Sequence, residues 1–228
     1  MNAMNMNRLC TLVLSITFCC SCSSRDGTDI IALAKTATGG QAWDRIEVWH
    51  ETGTVSSGGA VSRYEHWTDL RSLATRNGVT SSPAYMMFDG RAAYRCMNTE
   101  CNPTTEAESA AIRSGEYVAG FGFFFPDRFP AEVHSGGTRH EHGSQFDVVE
   151  VSPVGLDSIE LWVDHNTHYI LRIVYGRGQF HTDFSDYRRV TGGVTVPFVG
   201  IDAQSLVKTE TVRFEHAGVV SFSPVGRR

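Results

Sequence analysis

The sequence lacks the compact motifs by which common hydrolases and nucleotide-binding enzymes are detected. It contains no Gly-x-Ser-x-Gly nucleophile turn, no glycine-rich phosphate loop and no His-Glu-x-x-His zinc helix. Neither Asp-Thr-Gly nor Asp-Ser-Gly, the triplets of aspartic proteases, occurs, because Asp157 and Ser158 are followed by Ile159. Such motifs are short and difficult to disguise, so their absence predicts a protein that has no enzymatic activity and needs no cofactor.

Excess positive charge and long apolar runs are also lacking. The chain has 20 basic and 25 acidic residues and a net charge of −5, whereas a nucleic-acid-binding protein needs a clustered basic face. The N-terminal apolar run covers residues 9–18, which is half of the roughly 20 residues that a membrane-spanning helix requires. Nucleic acid is therefore excluded as a partner, and a helical membrane anchor is not expected.

Residues 1–22 are typical of a bacterial secretion signal, with one positive charge, an apolar run and a small polar border. Two alternatives follow: plain cleavage near this border, or lipid attachment to Cys22, which follows the small residue Ser21. Ser23 after a lipidated cysteine is typical of lipoproteins of the outer membrane. We therefore predict that residues 23–228 form a periplasmic domain of a Gram-negative bacterium, either free or anchored to the outer membrane.

Cysteine is scarce beyond the leader. Four of the six cysteines belong to the leader or its border, which leaves Cys96 and Cys101 in the mature domain. An even pair in an oxidising compartment favours a disulfide, here closing a short polar loop. A redox-active pair more often has two intervening residues, and a metal site needs further ligands, so a structural disulfide is predicted.

The hydrophobic pattern predicts mostly short strands and few helices. Residues 28–40 predict a first helix capped by Thr28, and residues 104–120 predict a second one. The remaining segments alternate between apolar and polar residues and are punctuated by glycine. We expect a two-residue hairpin turn at residues 89–90, Asp-Gly, and a turn between strands at residues 136–137, Gly-Gly. Without βαβ alternation, the pattern indicates a single α+β domain with a large antiparallel sheet of roughly ten or eleven strands.

Residues 120–130 contain five phenylalanines directly after the second predicted helix. Pro126 and Pro130 prevent the helix from continuing, so this segment is interpreted as the inner face of a lid over the sheet. Burying a large apolar side chain is worth roughly 1.5–3 kcal/mol, which favours rings that point inward. We expect most of these rings to point toward Trp162 and its neighbours.

Aromatic residues on the predicted strands lead to two alternatives for the space beneath this lid. It is either an ordinary filled core or a partly hollow apolar cavity that holds a lipid-like ligand. The candidate ligand-binding residues are Trp49, Trp67, Phe88, Phe121, Phe123, Phe124 and Trp162.

Charged residues that resemble catalytic or metal-binding pairs have simpler interpretations. On one strand, His140 and His142 share a face and could bind zinc, but adjacent glycines predict an exposed hairpin end. Asp183 and Asp186 are three residues apart, so on a regular strand they point to opposite faces. We expect no metal site, and an ion pair between Asp186 and a following arginine.

Two segments resemble the hairpins of bacterial lipoprotein carriers of the LolA/LolB type. Residues 160–173 read ELWVDHNTHYILRI, with a Trp-x-Asp before a short loop, and residues 184–198 read FSDYRRVTGGVTVPF. Residues 34–46, AKTATGGQAWDRI, are similar to the opening of secreted proteobacterial proteins in which this β-domain precedes a retropepsin-like aspartic protease domain. The resemblance covers about residues 30–219.

This resemblance implies an unclosed β-barrel of about eleven strands, plugged by helices, whose interior binds acyl chains. The leading prediction is a secreted, non-enzymatic envelope protein that binds a hydrophobic or lipid-like ligand in the concave face of the sheet. The alternative is an interaction or sensor module of the same fold. Least favoured is a hydrolase that uses Asp164 or Asp186.

Overall fold

The computed structural model describes residues 25–176 and 178–224, which form an antiparallel sheet with two α-helices. The helices are α1 (Gly27–Ala37) and α2 (Glu106–Ala119), followed by the 3₁₀ turns Gly40–Arg45 and Gly122–Phe124, respectively. The strands are β1 (Val48–Ser57), β2 (Ala60–Asp69), β3 (Thr75–Val79), β4 (Ala84–Phe88), β5 (Ala93–Met97), β6 (Glu100–Pro103), β7 (Ala131–Glu141), β8 (Ser144–Pro153), β9 (Ile159–Asp164), β10 (Ile170–Tyr175), β11 (Phe180–Arg189), β12 (Thr195–Ile201) and β13 (Ser205–Glu215). The predicted signal segment and Cys22 lie outside the described residues.

Two meanders make up the sheet, and one strand pair joins them. Strands β1 to β6 follow one another in space, as do β7 to β13, and β1 pairs with β13. Strands β6 and β7 stand at opposite ends of the strand order, so the barrel is unclosed. The chain between these two ends contains α2 and the phenylalanine segment. The predicted α+β class and unclosed antiparallel barrel are confirmed.

Within the described residues the sheet has thirteen strands, where about eleven were expected. The short strand β6 is polar and ends in Pro103, so it has no alternating apolar pattern. Its place at the edge of the sheet tolerates a proline, which has no N–H to donate. Strand β6 forms because it pairs with β5, an interaction that a local pattern does not reveal.

Two predicted turns differ in the structure. Strands β4 and β5 are connected by four residues rather than a two-residue turn, and the Asp89 N–H donates to the Ala92 carbonyl at 3.1 Å. Gly136 and Gly137 lie inside β7, where the register shifts, instead of ending a strand. Gly137 adopts φ +82°, a conformation that suits glycine in a bulge.

Side-chain caps define the start of both helices. The Asp26 carboxylate accepts a hydrogen bond from the Thr28 N–H at 3.4 Å, so Asp26 and not Thr28 caps α1. At α2, Thr105 and Glu108 form a reciprocal capping box, and the helix spans the predicted segment. Among the described residues, neither helix is long and apolar enough to cross a bilayer.

The hydrophobic core lies between the concave face of the sheet and the helices with their 3₁₀ turns. Strands of both meanders contribute to this core, and α1 packs against β7 and β8. Its largest side chains are those of Trp43, Trp49, Tyr117, Phe121, Phe123, Phe124, Phe125 and Phe198.

The predicted disulfide between Cys96 and Cys101 joins β5 to β6, where the two residues are direct cross-strand partners. Because the bond closes a small loop, replacing both cysteines with serine should lower the free energy of unfolding by about 2 kcal/mol. Urea denaturation of the oxidised protein and the double variant measures this difference. Equal stability of the two proteins would contradict the expected role of the disulfide.

Candidate functional site

The seven predicted ligand-binding residues are divided between the two faces of the sheet. Because side chains alternate along a strand, Trp49 points into the concave core whereas His50, its neighbour on β1, points to the convex face. Trp67 is the cross-strand partner of His50, and their rings stack with centroids 3.5 Å apart. Trp67 therefore lies on the convex face, away from the core.

Trp162 also lies on the convex face. Its neighbours on β9, Leu161 and Val163, are buried in the core, so the indole points the opposite way. The guanidinium groups of Arg139 and Arg172 lie 5.2 and 4.9 Å from the ring centroid, which are cation–π distances. Four of the five phenylalanine rings are buried in the core, so they point inward as expected. They do not point toward Trp162, and that part of the expectation was wrong.

The phenylalanine segment packs against tryptophans near the N-terminus instead. The Phe121 ring lies 5.2 Å from Trp43 and 5.9 Å from Trp49, while Phe124 lies 5.4 Å from Trp43. The ring centroid of Phe123 lies 5.8 Å from that of Phe121 and 5.0 Å from that of Phe124. These rings fill the space between the sheet and the 3₁₀ turn Gly40–Arg45, so this part of the interior is packed.

Helix α2 crosses the concave face and has an apolar groove on each side. The Trp49 groove lies between the C-terminal end of α2 and strands β1 and β11 to β13, and its volume is about 160 Å³. It is lined by Trp49, Glu51, Val118, Ala119, Phe121, Thr182, Phe184, Pro197, Val199, Gly200, Val207 and Thr209.

The Phe88 groove lies on the other side of α2 and is wider, with a volume of about 500 Å³. It is lined by Ser72, Leu73, Phe88, Gly90, Arg91, Arg113, Tyr117, Arg128, Phe129, Pro130, Pro153, Val154 and Leu156. Arg113 of α2 approaches the Phe88 ring, with its guanidinium carbon 5.8 Å from the centroid. The two grooves together contain Trp49, Phe88 and Phe121 of the predicted set, while Phe123 and Phe124 support them from the core.

A buried polar cluster ties α2 to the sheet between the two grooves. His66 Nε2 lies 3.2 Å from a Glu116 oxygen on α2 and 2.8 Å from Thr75 Oγ1. On its other side, His66 Nδ1 lies 3.6 Å from Glu51 Oε1. Burial alone would lower the pKa of His66, but the adjacent Glu116 and Glu51 carboxylates outweigh burial and raise the pKa to about 10. The imidazole is therefore positively charged at neutral pH.

Sequence reasoning missed this cluster, although the pattern contained a signal for it. His66 and Thr68 occupy the same strand face as Tyr64, and cross-strand pairing places them beside Trp49 and Glu51. A polar run at inward-facing positions of an otherwise apolar sheet is unusual, because buried polar groups need partners. What the pattern could not supply was the partner from α2.

The other charged candidates have structural partners. Asp164 accepts hydrogen bonds from the Thr167 N–H at 2.7 Å and its hydroxyl at 2.8 Å, so it caps the loop after β9. Asp183 binds Arg172, and Asp186 binds Arg188, as predicted for Asp186. None of these carboxylates faces either groove.

His140 and His142 are exposed at the end of the β7–β8 hairpin, which confirms that interpretation. His142 adopts φ +50° in the turn that connects the strands. Across the described ranges, no group of three histidine, cysteine or acidic residues is arranged to hold a metal ion.

Comparison with known proteins shows similarity in structure and none in sequence. No family model matches the chain, and no curated protein matches it. A LolA superfamily protein from Nitrosomonas europaea has a TM-score of 0.59 at 9% identity, over 84% of this chain and 94% of that one. A protein described as an outer membrane lipoprotein-sorting domain, from Vibrio parahaemolyticus, has a TM-score of 0.57 at 10% identity, over 85% and 94%.

A DUF1329 family protein from Desulfovibrio piger is similar as well, with a TM-score of 0.54 at 10% identity over 86% of this chain and 96% of that one. All three alignments span nearly the whole of the compared structures, so the similarity includes the sheet and the helices that plug it. The chain therefore has the LolA-like fold, an unclosed antiparallel barrel with helices across its concave face.

Proposed function

We propose that this chain is a non-enzymatic protein of the bacterial envelope that binds the alkyl chain of a lipid-like molecule in the Trp49 groove. The observation that carries this proposal is an apolar groove between α2 and the concave face of a LolA-like sheet. Val118, Val207 and Phe184 present apolar surface along it. A LolA superfamily protein and a lipoprotein-sorting domain share this fold, which supports a lipid-like ligand.

The size of the Trp49 groove suits a short alkyl segment. An apolar cavity of about 150 Å³ holds a benzene molecule, so about 160 Å³ accommodates roughly six carbon atoms. A longer chain needs the Phe88 groove as well, and α2 separates the two. We propose that α2 acts as a lid, so that its displacement joins both grooves over Trp49, Phe121 and Phe88.

Within this proposal, residues 1–22 direct export, and Cys22 is either the site of lipid attachment or lies beside the cleavage site. Anchoring to the outer membrane by Cys22 would hold the grooves close to a source of lipid. Trp67 and Trp162 lie on the convex face and have no part in the proposed binding site.

Filling the Trp49 groove should prevent binding. A Cβ on Gly200 would make only ordinary contacts with Thr182 and Phe184, and the Gly200 backbone does not require glycine. We expect Gly200→Leu to keep the fold and to weaken the binding of a fluorescent alkyl probe at least tenfold, because the leucine occupies the volume that the probe needs. Fluorescence titration of the purified protein with N-undecyl dansylamide, an alkyl probe without a charged end group, measures the affinity.

Gly115→Leu provides a matched control. Gly115 lies on the exposed side of α2 with open space around its Cα, and leucine is a better helix former than glycine. We expect probe affinity to stay within twofold of the wild-type value. A wild-type protein that binds no alkyl probe would overturn the proposed function and favour an interaction module of the same fold.

A further inference from the structure

A carboxylate, that of Glu51, lines the Trp49 groove on its β1 side. Among the described residues that line the groove, Glu51 is the single ionisable one. The other side-chain polar atoms are the Trp49 indole N–H, the Thr209 hydroxyl on the adjacent strand β13 and the Thr182 hydroxyl on β11; no arginine or lysine lines the groove. An amphiphile whose chain fills the apolar part would therefore place its polar end near Glu51.

Glu51 is held in position by three donors from the concave face. Its Oε2 accepts from the Trp49 indole N–H at 3.1 Å, and its Oε1 accepts from the Tyr64 hydroxyl at 3.3 Å. His66 Nδ1 approaches the same Oε1 at 3.6 Å. A carboxylate has about four acceptor positions, so about one is left for a donor in the groove. The side chain is 18% exposed, so that position is accessible.

The buried cluster around Glu51 carries a net negative charge. Glu51 and Glu116 contribute two negative charges, and the protonated His66 between them contributes one positive charge. Glu116 contacts His66 from α2 and does not line the Trp49 groove. The surplus negative charge therefore acts on any group that enters beside Glu51, in an environment where Coulomb interactions are stronger than in water.

From this geometry we infer that the ligand of the Trp49 groove has a hydrogen-bond-donating polar end without negative charge, an alkyl amine or an alkyl alcohol, that binds Glu51. The inference rests on the proposed function and adds the chemical class of the ligand. An N–H or O–H donor to a carboxylate forms a charge-assisted hydrogen bond, which is stronger than one between neutral groups. A carboxylate or phosphate end would instead face a like charge and lose hydration.

Three probes with equal chain length test the inference: decylamine, decanol and decanoate, each below its aggregation concentration at pH 7. Isothermal titration calorimetry of the wild-type protein should give at least tenfold tighter binding of decylamine than of decanoate, with decanol between them. The Glu51→Gln variant should bind decylamine more weakly and decanoate more tightly than the wild-type protein does. Its affinities for the two probes should then lie within about threefold of each other. Glu51→Asp retains the charge and should retain the order of affinities.

Glu132→Gln is the matched control, because Glu132 is an exposed carboxylate on β7, at the edge of the sheet and away from the Trp49 groove. The same loss of one negative charge there should leave the ratio of affinities unchanged. Equal binding of the three probes to wild-type protein, or an unchanged ratio in folded Glu51→Gln, would overturn the inference while alkyl binding itself stands. The wild-type ratio decides the question if Glu51→Gln does not fold. Failure of every probe to bind would overturn the proposed function as well.

Discussion

Replacing Phe124 with alanine is expected to lower the free energy of unfolding by about 3–5 kcal/mol, the range for a phenylalanine in a packed core. The ring is 2% exposed and lies within aromatic contact distance of Phe121, Phe123 and Trp43, at centroid separations of 5.7, 5.0 and 5.4 Å. Its removal leaves a cavity that these rings cannot fill without shifting from their present contacts. Urea denaturation at neutral pH, followed by tryptophan fluorescence, measures the loss.

Phe180→Ala is the matched control for this substitution. Phe180 is 49% exposed at the start of β11 and stacks only partly, with a centroid distance of 6.0 Å to Tyr175. We expect Phe180→Ala to lower the free energy of unfolding by less than about 1 kcal/mol, as for most surface substitutions. A cost of similar size for Phe124→Ala would mean that Phe124 borders empty space rather than a packed core.

Glu116→Gln is expected to lower the free energy of unfolding by about 3 kcal/mol at neutral pH. Glu116 and His66 are almost completely buried, with side chains 12% and 10% exposed. Removing one charge of a buried ion pair costs about 3–5 kcal/mol because the other charge loses its compensation. We expect the lower part of this range, because Glu51 still offsets the charge of His66 and glutamine still accepts a hydrogen bond from it.

The same cluster makes stability depend on pH. The pKa of His66 is raised from its ordinary value near 6.5 to about 10 in the folded protein, so the folded state holds a proton that the unfolded state releases above pH 6.5. The contribution is fully present below pH 6.5 and is lost as pH rises toward 10. Between pH 7 and 9 the loss approaches about 1.4 kcal/mol per pH unit.

Denaturant titrations at pH 7, 8 and 9 test this dependence. Wild-type stability should fall over the series, while the curve of Glu116→Gln should be flatter because its His66 has lost the adjacent carboxylate. The two proteins should therefore differ most at pH 7 and least at pH 9. Parallel curves for the two proteins would contradict a charged His66 paired with Glu116.

Phe124→Ala and Glu116→Gln probe different parts of the same interior. Phe124 lies where rings of the phenylalanine segment meet Trp43, and there the concave face is filled. Glu116 lies on α2 between the two grooves, where the concave face is incompletely filled. A packed end that stabilises the fold and two grooves beside α2 are compatible with the proposed binding function, because only the part around α2 has to open.

Much of the fold was predictable from local patterns. Alternation with period two and glycine punctuation indicated most of the strands, and the Thr105–Glu108 capping box coincides with the start of the predicted second helix. The disulfide followed from the number and place of the cysteines. What local patterns missed was β6, because a four-residue polar edge strand exists only through its pairing with β5.

The candidate site was predictable only in part. Trp49, Phe88 and Phe121 border the grooves, so their role in ligand binding stays a prediction, whereas Trp67 and Trp162 lie on the convex face. An alternating pattern shows which residues of one strand share a face of the sheet. It does not show whether residues on two different strands point to the same face. The register between β1 and β2, which places Trp67 opposite His50, was needed for that.

The sequence by itself determined the class of fold, the presence of the second helix and the presence of an aromatic segment whose rings have to be buried. These properties depend on local periodicity, on proline and glycine, and on the cost of exposing large apolar rings. Only the tertiary structure decided which rings meet, where grooves remain beside α2 and that Glu51, His66 and Glu116 form one cluster. Those outcomes depend on long-range strand register and on the placement of α2, which bring together residues that are distant along the chain.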